Sequence, residues 1–500
     1  MSQFLVRVLS ELETKDLVGL ILIPVALVAG TVALSLSQRL RDAAFLLMAG
    51  GAVISDRLDI NFFSRQWYRG TTRGIEFSFI DVLAFSIVAS MLLAPRLREK
   101  RFFWPASLGF MLLFCGYELF SIIISDPKLF GVFELSKTIR AIFIFLAAAL
   151  YVRSERELRF LVLAVGCAVC LEGMLAMKHK LILHVDRATG TLDHANSLSM
   201  YMCMTAPLFT AAINSSFPRY IRLFSTMCIG FAAVGIVLTI SRAGIPIFGL
   251  VMLGATLVCM TWKITFKKVA GTIGIVVGIS ALLAVSWNNL VERFTESSWQ
   301  EETDTKQFEN RGQYFGLAKE ILKDHLLGVG LNNWSYHVSK TYGERTGSPY
   351  EDYDDIPPSV LYSELIFDWA AKYAPPAHNL ALITIGELGV PGLAIFALLW
   401  LRWFSMGAKF LWRRTTDPMY RVGTGIFFCI CGIFLQSLTE WVYRQTAILL
   451  TFHVLLGTLA ALVHHRKHQR AGVEQQDQAD DDDVIDCEVV PEPAPAERTL

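Results

Sequence analysis

"LVGLILIPVALVAGTVALSL", residues 17–36, runs for twenty residues without one charged side chain, and its reading decides the fold. As a helix it covers about 30 Å, the hydrocarbon thickness of a bilayer. Runs of comparable length and apolarity recur at 221–240, 243–262 and 445–463. Of the 500 residues 53% are hydrophobic and only 18% charged, and the mean hydropathy is +0.45. That composition excludes an ordinary soluble enzyme and points to a polytopic helical membrane protein. Residues 1–16 are mixed and charged, without the apolar stretch of a cleavable signal, and read as an N-terminal segment able to lie as an interfacial helix.

Working outward, the pattern predicts spans near 17–36, 41–55, 75–94, 103–125, 134–151, 158–177, 198–214, 221–240, 243–262, 269–286, 378–401, 422–440 and 445–463. The fold class expected is therefore all-α, with about 12–13 transmembrane helices. The domain boundaries are 17–286 for the first set of helices, 287–377 for a large extracytoplasmic loop, 378–463 for the last helices, and 464–500 for an acidic, Pro-containing tail expected to be disordered and cytoplasmic.

Basic residues sort into every second connection: Arg39/Arg41, Arg96–Arg101, Arg153–Arg159, Arg219/Arg222, Lys263–Lys268, Arg402–Arg421 and Arg466–Arg470. The positive-inside rule places these in the cytoplasm. Residues 56–74 depart from it, carrying Arg57, Arg65, Arg69 and Arg73 on the outer side. Either lipid head groups, a local topology error, or an anionic substrate outside accounts for them.

The net charge of zero and the lack of a basic–aromatic pattern give no support for nucleic-acid binding. No P-loop, G-x-S-x-G or H-E-x-x-H occurs, so neither nucleotide hydrolysis nor metalloprotease chemistry is supported. No metal site or cofactor is expected: Cys167 and Cys170 read as packing inside a helix, His464, His465 and His468 as a basic cap, and "DYDD" at 352–355 as a solvated loop. Glu118, Glu134, Glu172, Glu387 and Asp81 fall in or at the ends of spans, where partners such as Lys137 and Arg140 are expected; Glu387 could also reach a cavity beside His378.

Four features share the outer face. Arg242 lies in "TISRAG" between two apolar runs, Arg311 opens an amphipathic stretch in "ENRGQYF", Arg187 lies in "DRATGTLDHANSLS", and His378 begins the span after Pro375-Pro376. Guanidinium forks match phosphate oxygens, and an imidazole handles protons near neutral pH. Together they suit a membrane-anchored diphosphate.

The ordered segments "TGTLDHANSLSMYM", "LTISRAG", "ENRGQYFGLAKEILKDHLLGVGLNNW" and "HNLALITIGELGVPGLAIF", over roughly 185–400, resemble the O-antigen ligase and Wzy-type polysaccharide polymerase superfamily. The resemblance implies a GT-C-like, metal-independent glycosyltransferase in the bacterial cytoplasmic (inner) membrane. Its donor would be an undecaprenyl-diphosphate-linked glycan used on the periplasmic face, within a polysaccharide assembly system. It implies that His378, Arg311 and Arg242 are catalytic, the arginines on the lipid diphosphate, with Asn379 as companion to the histidine; Arg187, Asn379 and Asn196 are read as substrate-binding residues. "GTLDHAN" at 190–196 departs from the family's usual Gly, aromatic and Pro-Asn pattern. The acceptor, whether a lipid-linked glycan, a lipid A core or a protein hydroxyl, stays open. The rival readings are a bicarbonate-like anion transporter, which needs discontinuous helices in paired repeats, and a non-catalytic membrane scaffold.

Overall fold

The computed structural model describes residues 14–93, 103–260, 291, 311–347, 350–353, 372–413 and 415–486. Every expected span except 269–286, which lies outside the described residues, coincides with a helix. In chain order these are α1 (Thr14–Leu36), α2 (Gln38–Gly51), α3 (Phe79–Leu93), α4 (Leu108–Ile124), α5 (Lys128–Tyr151), α6 (Glu155–Leu181), α7 (Ala195–Ile213), α8 (Arg219–Leu238), α9 (Gly244–Cys259), α10 (Arg311–Asp324), α11 (Leu380–Ala408), α12 (Pro418–Ser437) and α13 (Thr446–Asp486). Six of the helices, α1, α6, α8, α11, α12 and the Thr446–Lys467 part of α13, are long and apolar enough to cross a membrane. The shorter α3, α4 and α9 are also apolar. The chain is an all-α, multi-pass membrane protein.

The helix starts follow from their flanking residues. Ser154 and Glu157 form a reciprocal capping box on α6, Asp417 caps α12 ahead of Pro418, and Asn379 caps α11 by accepting from the Leu382 N–H at 3.0 Å. Packing then sets the layers. α13 is buried nearly all round between Thr446 and Val463, whereas α1 leaves most of its apolar surface exposed, as a lipid-facing helix does. α7 and α12 approach closely at Gly432, where a Cβ would lie 2.4 Å from the Cys203 carbonyl oxygen; a small residue there lets the backbones meet.

Two elements differ from expectation. Residues 75–78 are not the start of a span but a strand, Ile75–Ser78, paired antiparallel with Asp59–Phe62 in the register Asp59↔Ser78 to Phe62↔Ile75. Alternating polar and apolar side chains suit this two-faced hairpin, and the apolar Phe79 onward then turns into α3. The last helix continues through Asp486, beyond the boundary at 464, so the tail's first part is helical backbone; residues 487–500 lie outside the described residues.

α11 is interrupted. Gly389 has φ 66° and ψ −170°, Pro391 follows, and the backbone groups freed by the break are taken up by the segment after α10. Val329 N–H donates to the Gly386 carbonyl at 3.0 Å, Gly330 N–H to Glu387 at 2.8 Å, and Val390 N–H to Leu326 at 3.2 Å. The large loop is thereby stitched into the helix that carries His378.

Glu134, Asp81 and Glu387 meet cations within the bundle, whereas Glu118 accepts from the Thr138 hydroxyl at 3.2 Å. Glu134 meets Lys137 at 2.9 Å, and Arg140 meets Asp81 at 2.9 Å and Glu76 at 3.1 Å. Glu387 is not among the described residues lining the cavity beside His378; it meets Arg444 at 2.5 Å across the bundle. Glu172 accepts from the Thr191 N–H at 2.9 Å rather than from a cation.

Candidate functional site

The connections gather at two ends. At one, Arg156 pairs with Asp42, Ser216 N–H donates to Thr416 at 2.7 Å, and Arg466 reaches the Lys409 carbonyl while stacking over Phe410 and Tyr420. The basic clusters around 39–41, 153–159, 219–222, 402–421 and 466–467 thus share that end. Residues 56–74, the loop whose arginines break the alternation, lie at the other end with His378. The arginine-bearing loop is held there by Asn332: its side-chain oxygen accepts from Thr71 N–H at 2.8 Å, and its amide donates to the Thr72 and Phe130 carbonyls at 2.8 and 3.0 Å. Tyr68 stacks on Phe130 at 3.7 Å and Tyr353 on Tyr373 at 4.0 Å, so the loop aromatics build a small core of their own.

An open cavity of about 740 Å³ occupies this end. Arg69, Arg73, Arg187, His194, Asn196, His378, Glu440 and Trp441 line it, facing Asp56, Asp59, Glu76 and Asp193. Arg69 is oriented by a 2.8 Å bond to the Tyr373 carbonyl. Burial and the neighbouring Arg69 lower the Arg73 guanidinium's pKa. Asp56 is exposed to solvent yet sits inside the recess of the cavity, with protein around it. That enclosure first, then Glu76, Asp193 and Asp59, pushes its carboxyl up to about 7. Asp59 is pushed up to about 6 by burial and then by Glu76. Like charges sharing one low-dielectric wall resist ionising together.

His378 sits at the head of α11 with its side chain 41% exposed, in a four-residue chain of polar contacts. Its Nδ1 lies 2.8 Å from Glu440 Oε2. Asn196 Nδ2 donates to Glu440 Oε1 at 2.7 Å, and Arg187 Nη2 donates to Asn196 Oδ1 at 2.7 Å. Arg187 Nε donates in turn to the Thr239 carbonyl at 3.1 Å. The chain joins the α6–α7 loop, the start of α7, the end of α8, the start of α11 and the α12–α13 connection.

The sequence-derived residues divide as follows. His378, Arg187 and Asn196 come together in the cavity. Asn379 is not among the described residues lining it: its oxygen caps α11 and its amide donates to the Leu438 carbonyl at 2.7 Å, fastening the helix start beside Glu440. Arg242 lies at the same end in the α8–α9 turn, three residues past Thr239, but is not among the described residues lining the cavity. Arg311 is the first residue of α10, one turn before Tyr314, whose ring lies 5.9 Å from that of His378; the Arg311 side chain lies outside the described residues. Sequence reasoning passed over Glu440, which stands in "SLTEWVY" between two apolar runs at the histidine's end. A lone carboxylate beside a tryptophan in a short interhelical connection was the available signal. Among the described residues no cluster of His, Cys, Asp and Glu could hold a metal ion.

The fold is that of a multi-pass helical membrane protein with a large, open, charged cavity at its arginine- and histidine-bearing end. The family model described as O-antigen ligase matches residues 227–397, a stretch containing Arg242, Arg311, His378 and Asn379. The matched stretch, about a third of the chain, is similar to O-antigen ligases, which supports a polysaccharide ligase or polymerase role in general. No curated protein matches the chain.

Proposed function

We propose that the protein transfers a glycan from an undecaprenyl-diphosphate carrier to an acceptor hydroxyl, on the extracytoplasmic face of the bacterial cytoplasmic membrane. The observation that carries this reading is the meeting of His378 with Arg69, Arg73 and Arg187 in one cavity at the end opposite the basic clusters. By the positive-inside rule that end faces outward. The acceptor oxygen attacks the anomeric carbon as the bond to the diphosphate breaks, and the electron pair leaves with the diphosphate. Guanidiniums placed at the leaving group stabilise the developing charge; Arg311 and Arg242 are the residues assigned to it, with Arg69 and Arg73 added by the cavity. His378 takes the acceptor's proton.

A break in a membrane helix is also how transporters build midplane sites, and α11 has one at Gly389. Here, however, the loop at 326–330 takes up the broken helix's backbone groups and Arg444 takes up Glu387, which favours a structural break.

The test is transfer by the purified protein from an undecaprenyl-diphosphate oligosaccharide to a lipid-linked glycan, a lipid A core glycolipid or a serine peptide. His378→Ala is expected to lower the rate by about 10²–10⁴-fold, the usual worth of a positioned proton acceptor, and Arg311→Ala to slow it as well. Absence of transfer by the wild type to every acceptor, or unchanged rates in both variants, refutes the proposal.

A further inference from the structure

We propose that Glu440 is the positioning residue of this site, holding His378 in one tautomer through a relay completed by Asn196 and Arg187. The inference rests on the transfer reaction proposed above and deepens it.

Donor and acceptor chemistry fixes the direction of each link. A guanidinium only donates, so the Asn196 atom facing Arg187 is its oxygen, and the amide nitrogen is left to face Glu440. An ionised carboxylate only accepts, so Glu440 receives Asn196 on Oε1 and the proton on His378 Nδ1 at Oε2. Glu440 is 4% exposed, and both of its oxygens are engaged. With Nδ1 protonated, the neutral ring presents the Nε2 lone pair, and no hydrogen bond to Nε2 is present among the described residues. His378 lines the cavity, so that lone pair is the atom available to an acceptor hydroxyl.

The relay is anchored at both ends. Arg187 is fixed on the Thr239 carbonyl, and Asn379 ties the head of α11 to the Leu438 carbonyl, two residues before Glu440. The imidazole and its carboxylate are thus held in register by backbone as well as by each other. During transfer the hydroxyl proton passes to Nε2, the oxygen–anomeric carbon bond forms, and the carbon–diphosphate bond breaks. Glu440 then faces an imidazolium and stabilises it, and the ring afterwards returns the proton to solvent or to the departing diphosphate. Arg187, placed by sequence on the substrate, serves in this arrangement to orient Asn196. The same logic assigns Glu440 no contact with the reacting atoms.

The experiment uses the full chain in nanodiscs with ¹⁵N-labelled histidine, the His378 signals being identified by their loss in His378→Gln. The wild type is expected to show the Nδ1–H tautomer at a pH where the ring is neutral, and Glu440→Gln a mixture of tautomers. In transfer assays Glu440→Gln is expected to lower kcat by about a hundredfold with donor KM within about twofold, since the oriented tautomer matters to the transition state and not to donor binding. Glu440→Asp is expected to recover part of the loss. An Nε2–H tautomer in the wild type, an unchanged kcat in Glu440→Gln, or a loss confined to KM overturns the assignment. The tautomer is read without turnover, so a wild type lacking transferase activity would refute the proposed reaction while the relay is still decided by the spectrum.

Discussion

Removing one partner of the Arg444–Glu387 pair is expected to unfold the bundle's loop side. Arg444 Nη1 lies 2.5 Å from Glu387 Oε2, and the two side chains are 7% and 1% exposed. At an effective dielectric constant of about 20, that separation corresponds to a gross attraction of about 6–7 kcal/mol, much of it offset by desolvation. The net worth of the pair is therefore modest, but the cost of breaking it is not. Glu387→Leu leaves a buried guanidinium with Thr384 Oγ1 at 3.4 Å and the charges of Glu134 and Glu118 around it, and Arg444→Met leaves a buried carboxylate with the Trp334 backbone N–H at 3.4 Å and no cation paired with it among the described residues. Each single variant is expected to lose about 3–5 kcal/mol, and the double variant no more than either single. The resulting coupling of about 3 kcal/mol is read by a double-mutant cycle on equilibrium unfolding in mixed micelles. Transfer activity should fall with the singles, because the pair ties the His378-bearing half of α11 to the connection that bears Glu440. Singles that lose less than about 1 kcal/mol, or costs that simply add, refute the reasoning.

Gly389→Ala should be more damaging than its one methyl group suggests: its φ of 66° with ψ of −170° is a region L residues avoid, and the new Cβ would stand 2.3 Å from the Leu326 carbonyl oxygen. A loss of about 2–4 kcal/mol, combining backbone strain with one or two broken hydrogen bonds, is expected in the same unfolding assay, with reduced transfer. The acidic wall makes the cavity sensitive to pH. Asp56 and Asp59, raised to about 7 and about 6, hold protons more tightly in the folded state, so the stability they contribute is full below about pH 4 and is lost as pH rises through about 6–7. Melting temperature in detergent should therefore decline between about pH 4 and pH 7, and Asp56→Asn with Asp59→Asn should flatten that decline.

The bundle was legible because a bilayer leaves little choice: an uncharged twenty-residue run must be a helix with its backbone satisfied internally. The described basic connections gather at one end for a similar reason, since charge asymmetry is a property of segments and not of contacts. His378 and Arg187 were visible as polar residues at helix mouths on one side. Partner choice was not. Glu387 lies nine residues after His378 on what reads as one continuous helix, and nothing local reveals that Gly389 breaks that helix and that Arg444 waits across the bundle. Asn379 and Asn196 carry the same side chain, yet one closes a helix start and the other bridges a carboxylate and a guanidinium.

By itself, then, the sequence determined that this protein is a multi-pass helical bundle with cationic and imidazole groups at one end, because hydrophobic length and charge alternation act through the solvent alone. Only the tertiary structure decided that Glu440, 62 residues beyond His378, faces that ring at 2.8 Å and that Asn196 bridges it to Arg187. Hydrogen-bond distances between separate helices depend on how their ridges, breaks and caps interlock, and no run of residues read in order contains that information.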